Sequence, residues 1–123
     1  MVKSKVSEDD IKVADDYLKG YSLNQKLLRL DRYEREFFGY EDSVDGIVGD
    51  AALARGRMFE IRHLIMSLDN CDEKLLLYYH YIRGEGVEKC AELLGVSRSS
   101  GFRLKKRALA LIWNKLNSTE NGA

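Results

Sequence analysis

Not one proline interrupts the 123-residue chain. Proline is the residue least compatible with a helix interior, so its absence leaves long helices unobstructed. Few β-branched residues are adjacent, and Leu, Lys, Arg, Glu and Ala are abundant; the expected fold class is therefore all-α. Punctuation falls to the glycines. Ser7 can cap a first helix whose opening acids, Glu8, Asp9 and Asp10, suit the positive end of its dipole, and Gly20 can end it. A second helix is expected over residues 22–38, where Leu23, Leu27, Leu30 and Phe37 recur at helical spacing until Gly39 breaks the pattern. Residues 39–49 read as a loop whose Val44, Ile47 and Val48 dock on the body. From about Asp50 to Ser67 a third helix carries Met58, Ile61, Leu64, Ile65 and Leu68 on one face, forming an antiparallel hairpin with the second. Asp69 or Asn70 then caps a fourth helix running to Arg83, apolar nearly all round and so central.

The length suits one domain that buries a core without disulfides or a structural metal. Apolar runs such as residues 75–79 are far short of the roughly 20 residues a bilayer span needs. Residues 1–5 are followed by acids rather than an apolar signal core, so the expectation is a cytoplasmic protein with no membrane partner. In that setting Cys71 and Cys90, which lack the close spacing of a metal-ligand pair, are reduced thiols. Net charge is zero, yet residues 87–123 hold seven bases and three acids, a balance of +4 that leaves −4 on the rest. A basic end on an acidic body points either to a polyanion partner met by one face or to an ordinary solvated charge run.

Residues 87–116 favour the first of these. Val87, Cys90, Ala91 and Leu94 make a short amphipathic helix whose small Ala91 permits a close crossing; Gly95 can take the positive φ of a sharp turn, Val96 can plug it, and Ser97 can cap the next helix. Short helix, glycine turn and capped basic helix is the layout of a helix-turn-helix. On a helical wheel Gly101, Leu104, Ala108, Leu109, Leu111, Ile112 and Leu116 share one arc, while Ser99, Ser100, Arg103, Lys106 and Arg107 lie opposite. Between Ser97 and Leu116 there are six bases and no acid, whereas a face serving only solvent would mix signs. Arg98, Ser99, Ser100 and Arg103 are the candidates for base contacts, and Lys105, Lys106 and Arg107 for phosphates.

At these residues, within the stretch from His63 to Leu116 and centred on VEKCAELLGVS, the chain resembles the C-terminal helix-turn-helix of sigma factors. It is still more similar to the small phage regulators of the ArpU and RinA type, whose tail is sigma-like. That resemblance places the motif's Ala, Gly and Ser at Ala91, Gly95 and Ser97, and its DNA-contacting residues at Arg98, Ser99, Ser100 and Arg103. It implies a transcriptional regulator reading double-stranded DNA, with RNA polymerase or a second copy of the chain as partner, because one such module buries little surface on DNA. The organisation it implies is an N-terminal helical body over residues 1–68 for oligomerisation or polymerase contact, the helix-turn-helix region over 69–117, and a flexible tail over 118–123. Two rivals are a phage DNA-packaging subunit with a similar module and a helical protein-interaction module whose basic helix binds an acidic protein.

Catalysis finds no support in the sequence. His63 and His80 lie on apolar helices, Cys71 has no positioned base, and Gly84-Glu85-Gly86 lacks the further glycines and lysine of a phosphate loop. Tyr78, Tyr79, Tyr81 and Trp113 read as core, Phe102 as core edge, and no catalytic residue, cofactor or metal is expected. Gly101 departs from the resemblance, since related helices carry Val or Thr there. If the site is helical and roomy, alanine there adds about 0.4 to 1 kcal/mol; a loss above about 1 kcal/mol marks a positive-φ turn or a closely crossing helix.

Overall fold

In a computed structural model, which describes residues 6–39 and 47–120, Ser7 opens the first helix. Its Oγ accepts the Asp10 amide at 3.1 Å while the Asp10 carboxylate accepts the Ser7 amide, satisfying two N-terminal donors reciprocally. Helix α1 (Glu8–Phe38) then runs unbroken through Gly20, joining what the sequence pattern divides into two helices. Gly20 faces the next helix, where a Cβ would stand 3.7 Å from Ile61 Cδ1, and its neighbours Leu18 and Tyr21 are buried. That packing outweighs the ~1 kcal/mol an interior glycine costs. The helix ends at Gly39, whose φ of 66° is left-handed and whose amide donates to Arg35 O at 3.1 Å.

Helix α2 (Ile47–Met66) begins three residues earlier than the pattern suggests and packs back along α1 as a hairpin. Ile61, Ile65 and Leu68 are buried against Ala14, Leu18 and Tyr21, and Met58 and Leu64 are half-buried beside them. The expected docking of Val44 lies outside the described residues. The second apolar stripe of α1 is placed differently from the expectation: Leu23, Leu30 and Phe37 are 69%, 52% and 66% exposed, turned away from α2. Two apolar stripes share this helix, and the one carrying Ala14, Leu18 and Tyr21 meets both α2 and the rest of the core.

Asn70 caps α3 (Cys71–Leu77), its Oδ1 accepting the Glu73 amide at 2.9 Å. The helix continues into a wide turn over Tyr78–Ile82, in which the Arg83 amide reaches back five residues to Tyr78 O at 3.1 Å. Gly84, at φ 78°, ends it. Helix α4 (Val87–Leu94), Gly95 at φ 75°, and α5 (Arg98–Glu120) complete the chain, with α5 running four residues past Leu116. Leu18, Ile61, Ile65, Leu76, Leu77, Cys90 and Ile112 are all fully buried in one cluster, so residues 1–68 and 69–117 share a single core. As expected of the most apolar stretch, α3 and its wide turn sit at its centre. Among the described residues, no helix is long and apolar enough to cross a membrane.

Candidate nucleic-acid interface

The basic face of α5 is positioned by a crossing of small residues. Gly101 is buried on α5 directly against α4, and a Cβ built there would lie 2.8 Å from Ala91 Cβ and 3.6 Å from Val87 Cγ1. Real Cβ atoms do not approach so closely. Gly101 is therefore helical but has no room, and the stabilisation expected of alanine at a roomy site is ruled out. Between the helices, the Val96 amide donates to Ala91 O at 2.9 Å, and Ser97 Oγ accepts the Ser100 amide at 3.1 Å. Turn and cap thus fix how the first two turns of α5 leave the body.

Arg98, Ser99 and Arg103 are exposed there and Ser100 is half-buried. Arg103 Nη2 donates to Ser100 Oγ at 3.0 Å and has no carboxylate in ion-pair contact among the described residues. The Arg98 guanidinium stands 5.8 Å from the Phe102 ring centroid and 3.0 Å from Glu88 Oε2. Phe102 is accordingly a surface ring under an arginine, 45% exposed, rather than a core edge.

The three bases assigned to phosphates meet the protein's own acids. Lys106 Nζ pairs with Glu8 Oε2 at 2.5 Å, and Arg107 Nε donates to Glu73 Oε2 at 2.8 Å. Lys105 turns inward: its side chain is 23% exposed, 3.9 Å from Asp15 Oδ1, with its ammonium 5.9 Å from the Tyr81 ring centroid. Lys106 and Arg107 keep more than half of their side-chain surface in solvent. The acids Glu8, Asp15, Glu73 and Glu88 were not singled out as partners from sequence. Only Glu88 lies on the neighbouring short helix; Glu8 is 98 residues from Lys106, beyond the reach of any local spacing rule.

Beneath this face Asp15 joins α1 to the wide turn and to α5. The Tyr81 hydroxyl donates to Asp15 Oδ1, and Lys19 Nζ lies 2.9 Å from Oδ2. Burial opposes the Asp15 charge, but the Tyr81 hydrogen bond and the Lys19 and Lys105 ammoniums prevail, holding the carboxyl below its usual 3.8. Burial, reinforced by the Asp15 charge, pushes the Tyr81 phenol upward from 10.0. His80 is half-buried with Nδ1 donating to Glu85 O at 2.7 Å, and burial, with Lys105 nearby, depresses its pKa below 6.5 despite that bond.

The signs give a pH profile. Depressed Asp15 and His80 contribute stability that is present above their unfolded values and lost as pH falls through the folded ones; raised Tyr81 contributes stability lost above about pH 10. Urea midpoints should be flat between about pH 7 and 8 and decline on either side, the alkaline decline starting where the Cys90 thiol ionises in the unfolded chain but is held neutral by burial in the folded one. His80→Gln should remove the part of the decline that begins below about pH 6.5.

His63 is exposed and stacked on Phe59 at 6.0 Å, and Cys71 is exposed. Cys90 is buried, and burial pushes its thiol pKa up, as suits a small core residue. Tyr81 is buried in the core, with Tyr78, Tyr79 and Trp113 packed against that core. Among the described residues no three His, Cys, Asp or Glu side chains are grouped to hold a metal ion.

Against known families, curated proteins and solved structures, the chain has no match.

Proposed function

We propose that the protein is a sequence-specific DNA-binding regulator of transcription in which α4 and α5 act as a sigma-like helix-turn-helix of the ArpU and RinA kind. The observation that carries this reading is the Ala91–Gly101 crossing. It clamps α5 so that Arg98, Ser99 and Arg103 are exposed on its first two turns, with Ser100 half-buried among them. A helix N-terminus with an arginine unclaimed by any acid among the described residues and two hydroxyls is what a major groove accepts, since arginine can address guanine bidentately and hydroxyls serve bases or phosphates. Lys106 and Arg107 flank it as phosphate contacts, whereas Lys105 holds the helix to α1. On this reading the chain binds double-stranded DNA as a pair of modules or alongside RNA polymerase, because a single one buries too little surface.

Salt titration tests it. Lys106 and Arg107 are the exposed bases assigned to phosphates, so log affinity against log salt should fall with a slope of about −1.8 per module, at −0.9 per phosphate. Each phosphate bound displaces an internal carboxylate at both positions, so Glu8→Gln should strengthen binding to every duplex alike. A nearly salt-independent affinity would count against the assignment.

A second reading has one observation in its favour. Of the five bases at positions 98, 103, 105, 106 and 107, four already meet acids of the same chain, as they would in a module that docks an acidic protein. Failure to bind any duplex at low salt, over the protein's own upstream region and neighbouring promoters, would favour it.

A further inference from the structure

We infer that the outward stripe of α1 is a homodimer interface, in which Leu23, Leu30, Tyr33 and Phe37 of one copy pair antiparallel with the same residues of a second about a twofold axis at Leu30. All four are more than half exposed, and the Tyr33 and Phe37 rings already meet at 4.5 Å between centroids. Leu23, Leu30 and Phe37 are spaced by seven residues, so they lie in one row along about 21 Å of helix at 1.5 Å per residue. The row is on the side of α1 opposite Leu18 and Tyr21, which are buried. No other element of the described chain covers it.

Area and pattern choose the occupant. The four side chains expose on the order of 400 Å² per chain, the size at which an apolar patch on a monomer marks an interaction site. Covered from both sides with its flanking stems, the row removes on the order of 1,000 Å² from water, about what a specific association needs. The pattern is also self-complementary, as a twofold contact requires. Leu30 is its midpoint, so an antiparallel copy sets Leu30 on itself and Leu23 against the partner's Phe37. A parallel copy would stack Glu34 on the partner's Glu34; the antiparallel one puts it level with the partner's Lys26. Neither Lys26 nor Glu34 is ion-paired among the described residues.

The inference does not depend on DNA binding, and its test contains no DNA. Sedimentation equilibrium of the full chain between about 1 and 500 µM should show mass rising from 14.1 kDa toward twice that value. Leu30→Lys should raise the dissociation constant on the order of tenfold or more while leaving helix content by circular dichroism unchanged, since Leu30 lies on the open side of α1 and outside the core. Cysteine pairing reads the register. In a Cys71→Ser background, Leu30→Cys should cross-link to itself under mild oxidation, and Leu23→Cys should link to Phe37→Cys in a mixture but not to itself. A monomer at every concentration, a dimer indifferent to Leu30→Lys, or self-linking of Leu23→Cys would each overturn it.

Discussion

Gly101→Ala should lower stability by about 1 to 3 kcal/mol, the cost of forcing a methyl into a filled helix crossing. The reason is geometric. The new Cβ would lie 2.8 Å from Ala91 Cβ, a short side chain with no flexible end to move aside, and Ala91 is itself buried. Helix propensity pulls the other way by about 1 kcal/mol, so the observed loss is a net of the two. Circular dichroism should show unchanged helix content, because Gly101 is inside α5 and not in a left-handed turn. Ala91→Gly provides the control. Combined with Gly101→Ala it moves the methyl across the crossing without adding volume, so the double variant should recover much of the loss, a coupling that urea titrations of all four proteins would measure. Equal losses in the single and double variants would mean that the crossing does not set the fit.

On the proposed DNA-binding reading, Arg103→Ala should cost about 1 to 3 kcal/mol at a preferred duplex and flatten the preference among duplexes. Arg103 is the base on the face with no carboxylate partner among the described residues, so truncating it frees no internal acid and removes only its bonds to DNA and to Ser100. Lys106→Ala should instead weaken all duplexes by a similar and smaller factor, since Lys106 must exchange Glu8 for a phosphate when DNA binds. Anisotropy titrations over a panel of duplexes distinguish them. Equal loss of specificity from both would mean the reading face is rotated about the α5 axis, and Ser99 and Ser100 would need reassignment.

Much of the fold was legible in local chemistry. Ser7, Gly39, Asn70, Gly84, Gly95 and Ser97 all mark element ends, because each satisfies or bends the backbone by itself. What was not legible depends on distant partners. Gly20 stays helical because Ile61 lies over it. The wide turn at Tyr78–Ile82 has no signature in its own residues. Periodicity revealed Leu23, Leu30 and Phe37 as one row, but a row's period is the same whether it meets the core or faces outward. The order of bases and hydroxyls along α5 could likewise be traced on a wheel, whereas the acids that meet them come from α1, α3 and α4.

Helix α1 is about 46 Å long at 1.5 Å per residue, and its share of the common core ends at Tyr21. Among the residues whose side chains are described, its buried contribution beyond that point is Asp31, and the α2 residues buried towards the start of that helix are as small as Ala51 and Ala54. The hairpin is therefore two structures in series: a base welded to the half that carries α5, and a distal arm held by a thin seam. Local opening free energies follow buried apolar contact, so the arm can unzip while the base stays closed. An encounter at the arm is thereby separated from the geometry of α5, so a partner that grips the arm can order it without disturbing the basic face.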